Sequence, residues 1–168
     1  MEAVRYLYLL RHAKSSWADE AVDDHARPLS PRGEAAAGDM ATYMRREAVE
    51  PALVLCSAAL RARQTLAALA LAGEVYYEDG LYGAGATYLM ARLHTVADDV
   101  GSVMVVAHNP GLHDLAVACA GEGEPGALAR LREKLPTGAL VKLSFAGPWA
   151  SLVPGGAVLE ALVLPREL

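Results

Sequence analysis

The chain has 168 residues, of which 54% are hydrophobic and 21% are charged. These values are typical of a globular protein, and they exclude an intrinsically disordered, collagen-like or coiled-coil chain. The length predicts a single domain, residues 1–168, with a core that needs no disulfides. The net charge of −5 excludes an overall basic field of the kind that holds nucleic acid or an anionic membrane, so an anionic ligand must be bound locally.

The two cysteines, Cys56 and Cys119, lie in apolar stretches and have no metal-ligand spacing. They are therefore expected to be reduced, buried thiols. The apolar run near the amino terminus is too short for a membrane span and lacks a signal-peptide cleavage pattern. We expect a cytoplasmic protein with no membrane or nucleic-acid partner, and the sequence leaves its oligomeric state open.

The apolar and turn-forming residues predict an alternation of strands and helices. In chain order we expect strand 4–10, a helix entered through the proline-rich turn 27–33 and running to about residue 46, strand 52–56, helix 58–71, strand 74–77, helix 87–97, strand 103–107, helix 110–120, a loop at 121–126, one more helix, and strands 139–145 and 157–164. Ser57 and Asn109 are expected to be helix N-caps. This order predicts an α/β fold, a three-layer α/β/α sandwich with a mostly parallel central sheet.

Basic side chains follow three of the predicted strands. Arg11 and His12 come directly after the first strand, Arg61 lies one helical turn beyond the second, and His108 follows strand 103–107. Ligands of such sheets bind outside the carboxyl ends of the strands. Two arginines and two histidines are therefore expected to meet at one edge of the sheet.

This combination of side chains favours phosphoryl chemistry. No paired carboxylates follow these strands, which disfavours glycoside hydrolysis, and no glycine-rich phosphate loop is present. A zinc site built from His12 and His108 is an alternative, but the HExxH pattern is missing and neighbouring arginines would repel a cation. A neutral nitrogen of His12 could attack phosphorus while arginines hold the phosphate oxygens. We expect no metal ion and no other cofactor.

Four motifs at consistent spacing give the chain a family resemblance: LRHAKSSW, DDHARPLSPRG, SAALRARQT and VVAHNPGL. With these motifs it resembles the histidine phosphatase superfamily, which has the phosphoglycerate mutase-like fold, and most closely the small SixA-type phosphohistidine phosphatases. The resemblance implies that His12 is the nucleophile and that Arg11, Arg61 and His108 complete a phosphate pocket. This assignment agrees with the strand-end argument.

The resemblance also adds secondary candidates for substrate binding. Arg27 stands before Pro-Leu, where similar proteins carry an arginine, and is expected either to reach the phosphate or to form a salt bridge near the start of the helix. Ser15 matches a small hydroxyl position near the phosphate, although a loop serine more often caps backbone. Asn109, next to the second histidine, is a further candidate.

Family members that cleave phosphate esters protonate the leaving group with a carboxylic acid between the two histidine motifs. Glu78 and Asp79 lie near that place, but the aligned position is closer to Gly80. Without a strong acid an alkoxide leaves poorly, whereas the P–N bond of phosphohistidine is labile. We therefore expect a phosphatase that works through a phosphohistidine intermediate and dephosphorylates phosphohistidine in a protein. The alternatives are a phosphatase of a small phosphorylated metabolite and a catalytically silent phosphate-binding module.

Overall fold

The computed structural model describes residues 2–168. Seven strands and five α-helices are formed by these residues, with the bounds β1 Val4–Arg11, α1 Pro31–Arg46, β2 Leu53–Ser57, α2 Leu60–Leu69, β3 Glu74–Glu78, α3 Ala86–His94, β4 Ser102–Ala107, α4 Gly111–Cys119, β5 Ala120–Gly123, α5 Pro125–Glu133, β6 Leu140–Ala146 and β7 Ala157–Val163. Short 3-10 turns lie at Asp24–Ala26, Asp79–Leu81, Trp149–Ser151 and Pro165–Glu167. No helix among the described residues is long and apolar enough to cross a membrane.

The strands form one sheet in the order β3-β2-β4-β1-β6-β7-β5. The pairs β2 with β3, β2 with β4, β1 with β4 and β5 with β7 are parallel. Strand β6 is antiparallel to both of its neighbours, β1 and β7. Six of the seven strands therefore share one direction, and the prediction of a mostly parallel sheet is confirmed.

The two faces of the sheet carry separate cores. Leu9 and Val105 of the central strands pack in a cluster with residues of α3, α4 and α5, whereas Leu10 and Val106, their neighbours in sequence, pack with residues of α1 and α2. Successive side chains of a strand point to opposite faces, so the helices cover the sheet on both sides. The predicted three-layer α/β/α arrangement is confirmed.

Three local predictions are wrong. Helix α2 begins at Leu60, and the Ser57 hydroxyl accepts a hydrogen bond from the Ala59 N–H inside the turn that precedes the helix. The Asn109 side chain caps no helix, because its amide donates to the carbonyl of Leu135 instead. Residues 121–126 are not a loop, because they complete β5 and begin α5. Strand β5 is held by backbone pairing with β7, and its glycine-rich sequence does not reveal this pairing.

A close backbone contact fixes the segment that follows β1. The Ser30 hydroxyl caps α1 by accepting from the Gly33 N–H and donates to the carbonyl of Lys14. A Cβ atom on Gly33 would lie 2.1 Å from that carbonyl oxygen, a distance no side chain tolerates. Helix α1 can therefore approach Lys14, two residues beyond His12, because residue 33 is a glycine.

Candidate active site

The carboxyl ends of β1 and β4 and the first turn of α2 meet at one cleft, which we call the active-site cleft. Its volume is about 350 Å³, and it is lined by Arg11, His12, Lys14, Ser15, Trp17, Asp24, Arg61, His108, Asn109 and Thr137. The two arginines and two histidines that follow the strands in the sequence are thus brought together. Among the candidates for substrate binding, Ser15 and Asn109 also line the cleft, and Arg27 does not.

The ring of His12 is held in one orientation and is 7% exposed. Its Nδ1 lies 2.7 Å from the carbonyl oxygen of Ala13. Because a carbonyl oxygen can only accept, Nδ1 carries the proton. The other nitrogen, Nε2, lies 3.4 Å from Nε of Arg61 and accepts a hydrogen bond from it. The Nε2 lone pair therefore faces the cationic side of the cleft.

The environment of His12 also keeps the ring neutral. Burial lowers the pKa of His12 to about 4; the charges of Arg61 and Arg11 act in the same direction, and the hydrogen bond to Ala13 acts against them. A ring with this pKa is unprotonated near neutral pH. His12 therefore has the protonation state that a nitrogen nucleophile needs.

His108 lies beside His12, with the two ring centroids 5.1 Å apart. Its Nε2 is 2.8 Å from the hydroxyl oxygen of Ser57, a residue whose contact with the site the sequence did not reveal. Burial, followed by the charges of His12 and Arg61, lowers the pKa of His108 to about 3. Its Nδ1 is buried and has no hydrogen-bond partner in residues 2–168.

Asp24 and Tyr82 hold the guanidinium group of Arg61. Nη1 of Arg61 donates to the backbone carbonyl of Asp24 at 2.6 Å, and Nη2 donates to its carboxylate at 3.0 Å. The Tyr82 hydroxyl donates to the same carboxylate oxygen. The hydrogen bond from Tyr82 and then the contact with Arg61 lower the pKa of Asp24, so the carboxyl group is ionised at neutral pH. This charge fixes Arg61 with its Nε toward His12.

Sequence reasoning missed Asp24 and Tyr82. Asp24 lies in the acidic loop before Arg27, in a 3-10 turn whose position depends on tertiary contacts. Tyr82 follows β3 by four residues, so the strand-end argument extended to β3 would have pointed toward it.

A hydroxyl group joins helix α2 to the segment that carries His12. Thr65 Oγ1 donates to the carbonyl of Arg61 at 2.7 Å and accepts from the N–H of Ala13 at 3.0 Å. Thr65 lies four residues after Arg61 and therefore on the same face of the helix. That spacing is the signal by which the sequence could have found it.

The far wall of the cleft is formed by the loop before β6. Arg11 Nη1 and Asn109 Nδ2 donate to the same carbonyl, that of Leu135, at 3.0 and 2.9 Å. The N–H of Gly138 donates to the carbonyl of His12 at 2.9 Å. Thr137 is placed on the cleft wall by these bonds. Burial and then the charge of Arg61 lower the pKa of Arg11.

Arg27 does not reach the cleft, which corrects the expected phosphate contact. Its guanidinium group donates to three backbone carbonyls, those of Ser16, Asp19 and Val22, at 2.9 to 3.3 Å. It also stacks on the Trp17 ring at 3.7 Å. The alternative that the sequence left open, a salt bridge, is present at the 4.0 Å limit with Asp24. Arg27 therefore organises the loop that carries Asp24.

Neither Glu78 nor Asp79 lines the active-site cleft. The Glu78 carboxylate accepts three hydrogen bonds from the guanidinium group of Arg92, at 2.8 to 3.1 Å. Strand β3 ends at the edge of the sheet beside α3, so its last residue pairs with that helix. Asp24 is the carboxylate that the described residues place in the cleft. Residues 2–168 contain no group of three or more His, Cys, Asp or Glu side chains that could hold a metal ion.

A mostly parallel sheet with Arg11, His12 and His108 at the ends of its central strands, and Arg61 beside them on α2, defines a phosphoryl-transfer enzyme. The fold matches that of solved structures with the phosphoglycerate mutase-like fold. Residues 7–82 match the family model of the histidine phosphatase superfamily (branch 1). The chain belongs to the histidine phosphatase superfamily, and it is a phosphatase.

The chain is similar over nearly its whole length to other proteins and to solved structures. The uncharacterized protein Rv1276c of Mycobacterium tuberculosis is 40% identical over 159 residues, covering 94% of this chain and 100% of that protein. The proposed phosphohistidine phosphatase SixA from Nakamurella multipartitia superposes with a TM-score of 0.88 at 35% identity, covering 98% of this chain and 99% of that one. For the proposed SixA from Agrobacterium tumefaciens the TM-score is 0.82 at 30% identity, with 96% and 98% covered.

Proposed function

We propose that the protein dephosphorylates phosphohistidine in a protein substrate, by way of a covalent phosphoryl group on His12. The observation that carries the proposal is the placement of Nε2 of His12. This nitrogen is unprotonated, and it faces the guanidinium group of Arg61 within a buried cleft. Two solved structures with SixA names, which are 35% and 30% identical to this chain, support a phosphohistidine substrate.

In the first step Nε2 of His12 attacks phosphorus and forms a new P–N bond. The bond between phosphorus and the substrate's imidazole breaks, and the leaving nitrogen takes the electron pair and a proton from solvent. Negative charge on the three equatorial oxygens is balanced by Arg11 and Arg61, with His108 beside them.

In the second step water attacks the phosphoryl group on His12. The P–Nε2 bond breaks, inorganic phosphate leaves, and the proton of the attacking water passes to solvent. The hydrogen bond from Nδ1 to Ala13 keeps the ring in the tautomer that is ready for the next cycle.

The carboxylate in the cleft disfavours phosphate esters as substrates. An alkoxide leaving group needs a proton donor, but hydrogen bonds from Tyr82 and Arg61 hold the pKa of Asp24 below its ordinary value. Asp24 is therefore a poor acid at neutral pH. A phosphorylated imidazole has a better leaving group and depends less on protonation, so the cleft is matched to P–N bonds.

The rim of the cleft supports a macromolecular substrate. Trp17 lies at the rim and is 63% exposed, although it is a large apolar side chain. Exposed tryptophans are frequent anchors in protein–protein contacts. A phosphohistidine on a protein surface could place its phosphorus next to His12 while the protein surface around it contacts Trp17.

A substrate panel tests the proposal. We would measure kcat/KM for a phosphohistidine peptide, free phosphohistidine, p-nitrophenyl phosphate and a sugar phosphate, with His12→Ala as the control for contaminating activity. We expect the phosphohistidine compounds to exceed the sugar phosphate by at least about a hundredfold, because a sugar alkoxide leaves poorly without a proton donor, whereas imidazole depends less on one. The margin over p-nitrophenyl phosphate should be smaller, since nitrophenolate leaves without a proton. A clear preference for either ester would overturn the proposal.

A further inference from the structure

The surface beside the active-site cleft is cationic, although the chain as a whole is acidic. A second cleft of about 420 Å³ adjoins the first and shares Lys14 and Thr137 with it; α1 adds Arg32 and the last 3-10 turn adds Arg166. A third cleft of about 260 Å³ shares Arg166 with the second and continues toward α5. We call the second and third clefts together the basic groove.

The charges of the basic groove are unbalanced. Five cationic side chains line it, against the two carboxylates Asp39 and Glu133; the five are Lys14, Arg32, Arg130, Lys134 and Arg166. Arg130 forms a salt bridge with Glu167 at 2.7 Å. The other four cations form no salt bridge within residues 2–168. The groove therefore presents a local positive potential that starts at the active-site cleft.

The lining of the groove fits a peptide better than a nucleic acid. Between the cations its surface is formed by small and apolar residues, among them Ala35, Ala36 and Leu164. No aromatic side chain lines either of its two clefts in the described chain. Single-stranded nucleic acids are held by stacking on aromatic rings as well as by charge, and this groove offers no such surface.

Backbone contacts fix the groove relative to His12. Its shared wall, the turn that contains Thr137, is tied to the end of β1 because the Gly138 N–H donates to the carbonyls of Arg11 and His12. On the other side, Gly33 brings α1 against the backbone of Lys14. A segment bound in the groove would therefore lie at a constant distance from the reactive nitrogen.

We propose that the basic groove docks an acidic segment of the phosphorylated protein, next to the phosphohistidine that enters the active-site cleft. The inference rests on the proposed function and adds the chemistry of the partner: the phosphohistidine is surrounded by Asp and Glu side chains. Complementary charge steers the partner to the cleft and selects against proteins with a basic surface at the same place.

Three phosphohistidine peptides test the groove, identical except that the flanking residues are Asp and Glu, Asn and Gln, or Lys. We expect kcat/KM to be highest for the acidic peptide and lowest for the basic one. The double variant Arg32→Glu and Arg166→Glu lowers kcat/KM for the acidic peptide by about tenfold and leaves hydrolysis of free phosphohistidine unchanged. High salt removes the difference between the parent protein and the variant.

A matched control separates the groove from net charge. Arg63→Glu with Arg132→Glu changes the charge by the same amount at two exposed residues that line neither cleft of the groove. This control variant should have the same kcat/KM for the acidic peptide as the parent protein. Equal kcat/KM for the three peptides, or equal losses in the groove and control variants, would overturn the proposal.

Binding of the unphosphorylated acidic peptide, measured by fluorescence anisotropy, distinguishes failure of the groove from failure of the reaction. Peptide binding that the groove variant abolishes supports the groove even if no phosphohistidine is hydrolysed, in which case the proposed function fails alone. Hydrolysis of phosphohistidine without binding of this peptide overturns the groove alone. Tighter binding of a single-stranded oligonucleotide of equal charge would also overturn the assignment to a peptide.

Discussion

The active-site histidines, His12 and His108, have different surroundings from the two helix histidines, His94 and His113. His94 on α3 and His113 on α4 each place Nε2 against a backbone carbonyl of another segment, that of Leu152 or Leu131. His12 at the end of β1 uses Nδ1 for its carbonyl contact and turns Nε2 toward Arg61. The comparison teaches that His94 and His113 use Nε2 to join elements, whereas His12 is held through Nδ1 and keeps Nε2 turned into the cleft.

The largest difference between the two pairs is expected in turnover. His12→Ala removes the nitrogen nucleophile and should lower kcat by about 10⁴-fold or more, with inorganic phosphate still bound through the arginines. His94→Ala, the matched control, should keep kcat within about twofold and lose about 1 kcal/mol of stability with its hydrogen bond. Steady-state kinetics, calorimetric phosphate binding and urea unfolding give the three values. Similar kcat losses in both variants would remove the distinction.

The next largest effect is expected in the pH dependence of stability. The pKa values of His12 and His108, about 4 and about 3, lie below the ordinary value near 6.5. As the pH falls below 6.5, the two histidines take up protons in the unfolded chain before they do so in the folded protein. Their contribution to the free energy of unfolding is therefore complete above that pH and is lost toward pH 4. From pH 7.5 to pH 5 we expect the free energy of unfolding to fall by roughly 4 kcal/mol through this pair.

Urea unfolding of the parent protein and of His12→Ala at both pH values isolates this contribution. The variant should lose about half of the pH dependence, since one of the two depressed histidines is gone. The lowered pKa of Asp24 acts in a different window, because a depressed carboxyl group loses its stabilising effect only as the pH falls below its ordinary value near 4. An unchanged pH dependence in the variant would show that His12 titrates normally in the folded protein.

A smaller effect is expected from a change at Asp24, the carboxylate beside His12 and His108. Asp24→Asn weakens the hold on Arg61 and should lower kcat about tenfold, because the guanidinium group no longer has a fixed position. The same change removes a negative charge from an anion-binding cleft, so KM should fall or stay the same. The matched control Glu78→Gln should leave kcat and KM unchanged, since Glu78 pairs with Arg92 outside the cleft. A rise in KM with constant kcat would contradict a positioning role.

The sequence predicted the sheet and the meeting of Arg11, His12, Arg61 and His108 because both follow from short-range patterns. Continuous apolar runs identify buried strands, and the residues that follow parallel strands share an edge. The direction of a side chain is not fixed in this way. Arg27 was expected either to reach phosphate or to form a salt bridge, and the fold turns its guanidinium group mainly to loop carbonyls.

The parts of the site that the sequence missed depend on contacts between distant segments. Asp24 reaches Arg61 because a loop folds across α2, and Tyr82 joins them from beyond β3. Ser57 was expected to cap a helix, but its hydroxyl also contacts His108, 51 residues away in sequence. Strand β5 was missed because its pairing with β7 uses backbone groups and leaves no alternation of side chains.

The central claim is that Nε2 of His12 accepts the phosphoryl group, and trapping the phosphoenzyme tests it most directly. Rapid quenching of the protein with ³²P-labelled phosphohistidine peptide, followed by peptide mapping, locates the label. We predict an acid-labile, alkali-stable phosphoryl group on His12, and no label in His12→Ala. A label on another residue such as His108, or turnover with no labelled protein at any time, would contradict the account.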